Sequence, residues 1–203
     1  MEQPLLSILI PTTYDRADDV AKLKASINQQ LDSICGGHEA VEIIEKCDDR
    51  TMILGDKRNL LYEMANGLYS WQIDSDDEIH EKAIELILNE LNENPQVVSF
   101  EEYVNLNGVE YKSNFSNEYA DWQGDGSKLL SDGFHFQRQI FYKCVILTEL
   151  ARSVKIPSLR FGEDHEWSKI LKSHIRSEVH INKQLYRYIF KPTDSTQRYG
   201  LDK

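Results

Sequence analysis

The sequence predicts an α/β fold in which a mostly parallel central sheet carries helices on both faces. Three observations predict it. Short apolar runs bounded by turn residues alternate with segments whose apolar residues recur at three- and four-residue steps over the first hundred positions. The runs are too continuous to belong to half-exposed strands, which would alternate with polar residues, so both faces of the sheet are expected to be covered. At 203 residues, with 40% hydrophobic and 28% charged side chains, the chain is long enough to bury one full core and has an ordinary globular composition.

The elements follow in order. Leu5 to Ile10 reads as a buried strand closed by Pro11-Thr12-Thr13. Val20, Leu23, Ile27 and Leu31 share one helix face, and Gly36-Gly37 ends that unit. Val41 to Ile44 is a second strand running into Cys47-Asp48-Asp49-Arg50. Gly55-Asp56 precedes a helix with Leu60, Leu61, Met64 and Ala65 inward, which Asn66-Gly67 terminates through the left-handed conformation both residues tolerate. Tyr69 to Ile73 is a third strand, stopping at Asp74-Ser75-Asp76-Asp77. A helix from Ile79 to Leu91 and a fourth strand from Val97 to Tyr103 complete this part.

Beyond Asn105 the pattern changes. Asn107-Gly108 signals a hairpin between Tyr103-Val104 and Val109-Tyr111. Lys112 to Gly133, polar and aromatic, reads as a long loop. Phe134 to Tyr142 reads as a strand, Val145 to Val154 as a helix, and a further helix after Gly162 turns Trp167, Ile170 and Leu171 inward. Val179 to Phe190 forms one or two closing strands, followed by a polar tail. The expected organisation is a single domain over 1–203, with a nucleotide-binding-like half over 1–104 and a half over 105–203 that completes a pocket.

Charge and cysteine content narrow the function. Thirty-four acidic against 23 basic residues leave a formal charge of −11, which disfavours general nucleic-acid binding. Cys35, Cys47 and Cys144 lack metal-ligand spacing and read as reduced thiols. The N-terminal apolar run has no basic flank and is cut by Pro11, and no stretch has the length of a membrane span, so the expected location is cytoplasmic.

Asp74-Ser75-Asp76-Asp77 is the most informative stretch, because ligands of open α/β sheets bind beyond strand carboxyl ends. Crowded carboxylates there suit Mg²⁺ or Mn²⁺, with positions left for substrate phosphates; the alternative is a solvated helix-capping loop. Asp48 and Asp49 repeat the placement after the second strand, as acceptors for a ribose or base, or as turn residues. Lys57 and Arg58 open a helix, where the dipole disfavours cations unless they face a phosphate. Glu163 and Asp164 open another helix, as a general base or as caps. His135, His165 and His180 read as structural, with His165 and His180 also weighed as metal ligands. Trp122 with Tyr119, and Tyr186 with Tyr188, are placed to stack on a sugar or to pack.

Taken in order, these segments resemble the family 2 glycosyltransferases of the GT-A fold, a Rossmann-like architecture. Ser7 to Thr12 resembles the first strand and its nucleotide-binding turn. Asp48 falls at an acidic base-recognition position, although the usual Gly-Ser of that turn is absent. Gly55 to Asn59 and Ala65 to Tyr69 resemble the approach to the metal motif, Asp74 to Asp77 the DxD motif, and Phe161 to Asp164 the later ED motif. Leu185 to Tyr188 resembles a closing strand of small members.

The resemblance implies inverting transfer from a nucleotide-diphosphate sugar, usually uridine-linked. Pro11, Thr12, Asp48, Lys57, Arg58, Asp74 and Ser75 would bind the donor. Asp76, with Asp74 or Asp77, would hold Mn²⁺ or Mg²⁺, and Asp164 would be the base. The acceptor stays open between a saccharide, a lipid-linked saccharide, a protein and a modified nucleobase. A metal-dependent hydrolase, a nucleotidyltransferase and a non-catalytic sugar-nucleotide-binding module are the alternatives.

Overall fold

The structure is a computed structural model and describes residues 3–190. Its element order is β1 (Leu6–Thr13), a 3₁₀ turn (Tyr14–Arg16), α1 (Ala17–Ser33), α2 (Gly37–Ala40), β2 (Val41–Asp48), α3 (Leu54–Met64) and β3 (Tyr69–Gln72). There follow β4 (Glu78–Ile79), α4 (Ala83–Leu91), β5 (Val97–Leu106), β6 (Val109–Phe115), β7 (Phe136–Arg138), β8 (Val145–Leu147), α5 (Thr148–Ser153), α6 (Glu163–Lys172) and β9 (Glu178–Phe190). The strands join in one sheet of order β2-β1-β3-β8-β5-β6-β7, with β9 on β5 and β4 on β9. β1 pairs in parallel with β2 and β3, and β5 in parallel with β9. β8 runs antiparallel between β3 and β5.

The sheet is buried because helices cover it in two groups, α1 with α4 and α3 with α5 and α6. Leu6, Ile8, Leu9 and Ile10 of β1 are all fully buried, the two-sided burial that continuous apolar runs require. Trp71 of β3 lies edge-on to Phe100 of β5 and Tyr186 of β9, so three strands share one aromatic core. Among the described residues no helix is long and apolar enough to cross a membrane.

The Asn107-Gly108 hairpin forms with both residues at positive φ, 55° and 86°, the mirror-image turn that matches strand twist. Elsewhere the structure departs from the sequence reading. Ile79 belongs to β4, paired with Tyr186 across the sheet, and helix α4 begins only at Ala83. The region read as a loop from Lys112 begins as strand: β6 runs to Phe115, with Ser113 buried in the cavity wall where an apolar residue would have signalled a strand. The expected strand from Phe134 is regular only over Phe136–Arg138. Val145, Ile146 and Leu147 form strand β8, since a short apolar run is ambiguous between strand and helix until its neighbours are known. Val179 to Phe190 lies within one strand, β9, its register against β5 shifting on both sides of Glu101. Ile170 faces outward, 49% exposed, whereas Trp167 and Leu171 are buried.

Gly67 does not end α3 through a left-handed turn. It is needed because the chain there presses against β1: a Cβ would come within 2.6 Å of the Ser7 nitrogen. The polar tail from Lys191 lies outside the described residues.

Candidate functional site

The carboxyl ends of β1 and β3 and the first turn of α3 enclose a cleft of about 270 Å³, lined by Pro11, Thr12, Lys57, Arg58, Asp74, Ser75 and Asp76 together with Arg16, Arg50, Arg160 and Tyr188. A second cavity, about 440 Å³, opens beside it and holds Glu163 and Asp164. Leu54, Arg58, Asp74, Arg160 and Tyr188 line both. Residues more than 100 positions apart thus form one continuous site. Asp48 and Asp77, named with the others from sequence, line neither cavity.

The segment Gly55-Asp56-Lys57-Arg58-Asn59 explains how the cleft is built, because each of its residues has a separate task. Gly55 lets the α5–α6 connection cross the helix start: a Cβ there would sit 2.0 Å from the Pro157 carbonyl oxygen. Asp56 accepts a bond from Ser158 at 2.8 Å. Asn59 donates to the Ile156 carbonyl at 2.8 Å and accepts from the Ile156 N–H at 2.9 Å. This connection, fastened to α3, carries Arg160 to the border of the two cavities. Lys57 donates to the Thr12 carbonyl at 2.7 Å and pairs with Asp48.

Arg58 is the central cation. It is 2% exposed, lies 3.5 Å above the Tyr142 ring, and bonds Asp74 at 2.9 Å, Gln72 at 3.2 Å and Glu163 at 3.3 Å. It therefore links the Asp74–Asp77 stretch to the Glu163-Asp164 pair. Burial on its own raises the Asp74 carboxyl, but the charges of Arg58 and Lys143 and the Tyr142 hydroxyl, 2.7 Å away, bring it below its usual range. Glu163 is buried, which pushes its carboxyl up against the opposing pull of Arg58.

The acidic stretch does not converge on one point. Asp76 faces the cleft and pairs with Arg16. Asp74 is engaged by Arg58 and Tyr142. Asp77 points into the core, accepting from the Tyr186 hydroxyl at 2.7 Å and the Ile189 N–H at 2.9 Å, with Lys143 at 3.5 Å. Burial, with Asp74 and Asp76 nearby, pushes the Asp77 carboxyl up to about 7. Among the described residues no three His, Cys, Asp or Glu side chains gather as metal ligands. The expected assistance of Asp77 in holding a metal thus meets a side chain already committed to the core. A hard cation in the cleft would take one carboxylate, Asp76, in place of Arg16, and would draw its remaining ligands from phosphate and water.

Asp48 does not line the cleft. It is 9% exposed and accepts the Met52 N–H at 2.7 Å besides its pair with Lys57, so it stands behind the cleft wall and holds the lysine forward.

In the larger cavity Asp164 accepts a bond from Arg138 at 2.7 Å and from the His165 N–H at 2.9 Å. Burial alone raises its carboxyl, but Arg138 outweighs that and holds it below the usual carboxylate range. Arg138 lies 3.8 Å from the centroid of Phe141 and 4.9 Å from that of Trp122. Lys143 pairs with Glu102 at 2.7 Å and sits 4.0 Å from the Tyr188 ring.

Of the tyrosines read as stacking or packing, Tyr186 packs in the core and Tyr188 lines both cavities. Tyr119 accepts from Asn114 and donates to Asp132, while Trp122 is left 48% exposed at the larger cavity. His135 and His180 accept or share local bonds with the Lys112 N–H and Ser99, and His165 stands 3.8 Å from Asp121; none lines either cavity. Sequence reasoning missed Arg16, Arg138, Lys143 and Arg160. Each sits in a segment without a motif, and only Arg160, two residues before Gly162, adjoins one.

No family model matches the sequence, and no curated protein matches it. The fold does have solved counterparts. S. aureus TarS 1-349 in complex with UDP-GlcNAc superposes with a TM-score of 0.62 at 14% identity, over 92% of this chain and 58% of that one. The same protein in complex with UDP gives 0.63 at 16%, over 93% and 61%. A longer TarS structure gives 0.61 at 14%, over 93% and 37%. The chain therefore spans about three-fifths of TarS 1-349, and its fold is α/β and GT-A-like.

Proposed function

We propose that this chain is an inverting glycosyltransferase of the family 2 type, moving a sugar from a nucleoside diphosphate, uridine-linked, to an acceptor hydroxyl. The carrying observation is the pair of abutting cavities, one edged by cations and Asp76, the other holding Asp164, with Arg58 and Asp74 in their shared wall. Counterparts of the same fold that bind UDP and UDP-GlcNAc support the donor class.

In this reading the diphosphate occupies the cleft facing Arg16, Lys57, Arg58 and Arg160. Asp164 is a carboxylate at neutral pH, because Arg138 stabilises its charge. It takes the acceptor proton as the acceptor oxygen attacks the anomeric carbon from the face opposite the leaving group. The bond between that carbon and the phosphate oxygen breaks, its electrons leaving with the nucleoside diphosphate. Glu163 is a positioning residue, holding Arg58 between the two cavities. A divalent cation, Mn²⁺ or Mg²⁺, would be held by Asp76 and would supply neutralisation of the departing diphosphate. Alignment of donor and acceptor across the shared wall supplies the rest.

The test is a thermal-shift series with UDP, GDP and CMP, with and without Mn²⁺. UDP at 100 times its dissociation constant is expected to add about 2.7 kcal/mol of stability, with Mn²⁺ required and Asp76→Ala removing the metal-dependent part. An unchanged melting curve with every nucleotide would overturn the proposal.

A further inference from the structure

The larger cavity bears on what the acceptor is. Its wall built by β5, β6 and β7 presents Val104, Leu106, Phe115 and Phe136 besides Glu102, Ser113 and Arg138. Trp122 stands beside that wall, its ring 6.1 Å from Phe136 and steeply tilted to it. The carboxylates lining the cavity are each already matched to a cation: Asp164 to Arg138, Glu102 to Lys143, and Asp74 and Glu163 to Arg58. Arg58 and Arg138 are in addition covered by the Tyr142 and Phe141 rings. The lining cation with no ion-pair partner among the described residues, Arg160, sits where the cavity meets the cleft.

A ligand against those four side chains therefore meets rings and aliphatic groups, with Ser113 offering a hydroxyl and with Arg138 and Glu102 already paired. A charged group placed against them would lose its hydration and meet only cations and carboxylates already paired, Arg160 excepted, whereas a flat apolar group gains from each ring it covers. A volume of about 440 Å³ is within the ordinary range for an enclosed small molecule.

Resting on the glycosyl-transfer reading, we propose that the acceptor is a neutral molecule that carries its hydroxyl on an aryl-bearing body, the aryl group against Val104, Leu106 and Phe136 and the hydroxyl at Asp164. The cavity selects by apolar shape, and the cleft by charge.

The protein contains its own reporter. Of its three tryptophans, Trp71 and Trp167 are fully buried and Trp122 is half exposed at this cavity, so acrylamide quenching of the intact chain reads chiefly Trp122. The probes are phenyl β-glucoside, methyl β-glucoside and phenyl β-glucuronide, with benzyl alcohol for the aryl group alone. Phenyl β-glucoside is expected to protect Trp122 at a concentration at least tenfold lower than the methyl glucoside or the glucuronide, and benzyl alcohol to protect weakly. Equal protection by the methyl glucoside, tighter binding of the glucuronide, or no protection by any probe would each overturn the proposal. Leu106→Arg, which leaves Trp122 in place, is expected to abolish the preference for the phenyl glucoside; an unchanged preference would overturn it too. UDP binding measured on the same sample keeps the two readings apart. UDP bound without aryl selectivity sinks the acceptor inference alone, and aryl selectivity without UDP binding sinks the donor reading.

Discussion

The two cavities share a wall and differ in how their charges are disposed. The cleft is lined by five cations, Arg16, Arg50, Lys57, Arg58 and Arg160, against two carboxylates, Asp74 and Asp76. The larger cavity has four of each: Arg58, Arg138, Lys143 and Arg160 against Asp74, Glu102, Glu163 and Asp164. In a chain of net charge −11 this lining suits the diphosphate proposed above, with Arg16, Arg50, Lys57 and Arg58 held in place by Asp76, Asp15, Asp48 and Asp74. The ion pairs of the larger cavity hold its own lining. Arg138 holds Asp164 ionised, and Lys143 reaches both Glu102 and the buried Asp77. Both regions are threaded by ion pairs, and the cation left without an ion-pair partner among the described residues, Arg160, stands in the lining they share.

The largest expected effect that separates them is on Asp164. Asp164→Asn is expected to lower transfer by roughly 10² to 10⁴-fold, the usual span for losing a general base, with UDP affinity unchanged by calorimetry. A matching loss of UDP affinity would mean that the two cavities do not divide the work. Next is Gly55, the crossing point that carries Arg160 to their border. Gly55→Ala pushes a methyl into the Pro157 carbonyl and is expected to cost about 1–3 kcal/mol in urea unfolding. A stability equal to the parent would show that the connection moves aside at no cost. Arg160→Ala is expected to weaken UDP about tenfold, or about 1.4 kcal/mol, and to leave uridine binding unaltered. Equal losses for both ligands would remove Arg160 from the phosphate.

The smallest effect expected is in pH. A carboxyl held below its ordinary range stays ionised through the range where free carboxylates protonate, so the acid limb due to Asp164 should lie below that range. Its contribution to stability has the same sense, present above the unfolded value and lost as pH falls through the lowered one. Arg138→Met should move the limb of kcat/KM upward. A limb that stays in place would show that Arg138 does not govern the base.

Much of the frame was legible because local chemistry decides it. Strands β1 and β3, the hairpin at Asn107-Gly108 and the helix opened by Gly162 follow from apolar runs and turn residues acting within a few positions, although β1 runs on through Pro11 and Thr12 to Thr13 rather than closing there. Strand β8 was not legible, since Val145 to Leu147 become a strand only where β3 and β5 leave an antiparallel slot between them. Part of the site was legible too. Lys57 and Arg58 stood out as cations at a helix start, a local electrostatic conflict that a distant partner had to resolve. Their partners, Asp48, Asp74 and Glu163, were each noted for their own reasons, but no spacing rule joins Arg58 to Glu163 across 105 residues.

The sequence by itself determined which segments carry acidic and basic groups to the ends of strands and helices, because burial of apolar runs sets those ends. Only the tertiary structure decided where each carboxylate points. Asp76 turns to the cleft while its neighbour Asp77 turns to the core, because Tyr186, 109 residues on, and Lys143 offer Asp77 a hydroxyl and a charge inside the protein. A buried carboxylate takes the orientation that satisfies its oxygens, and those partners arrive from elements that the local sequence does not contain.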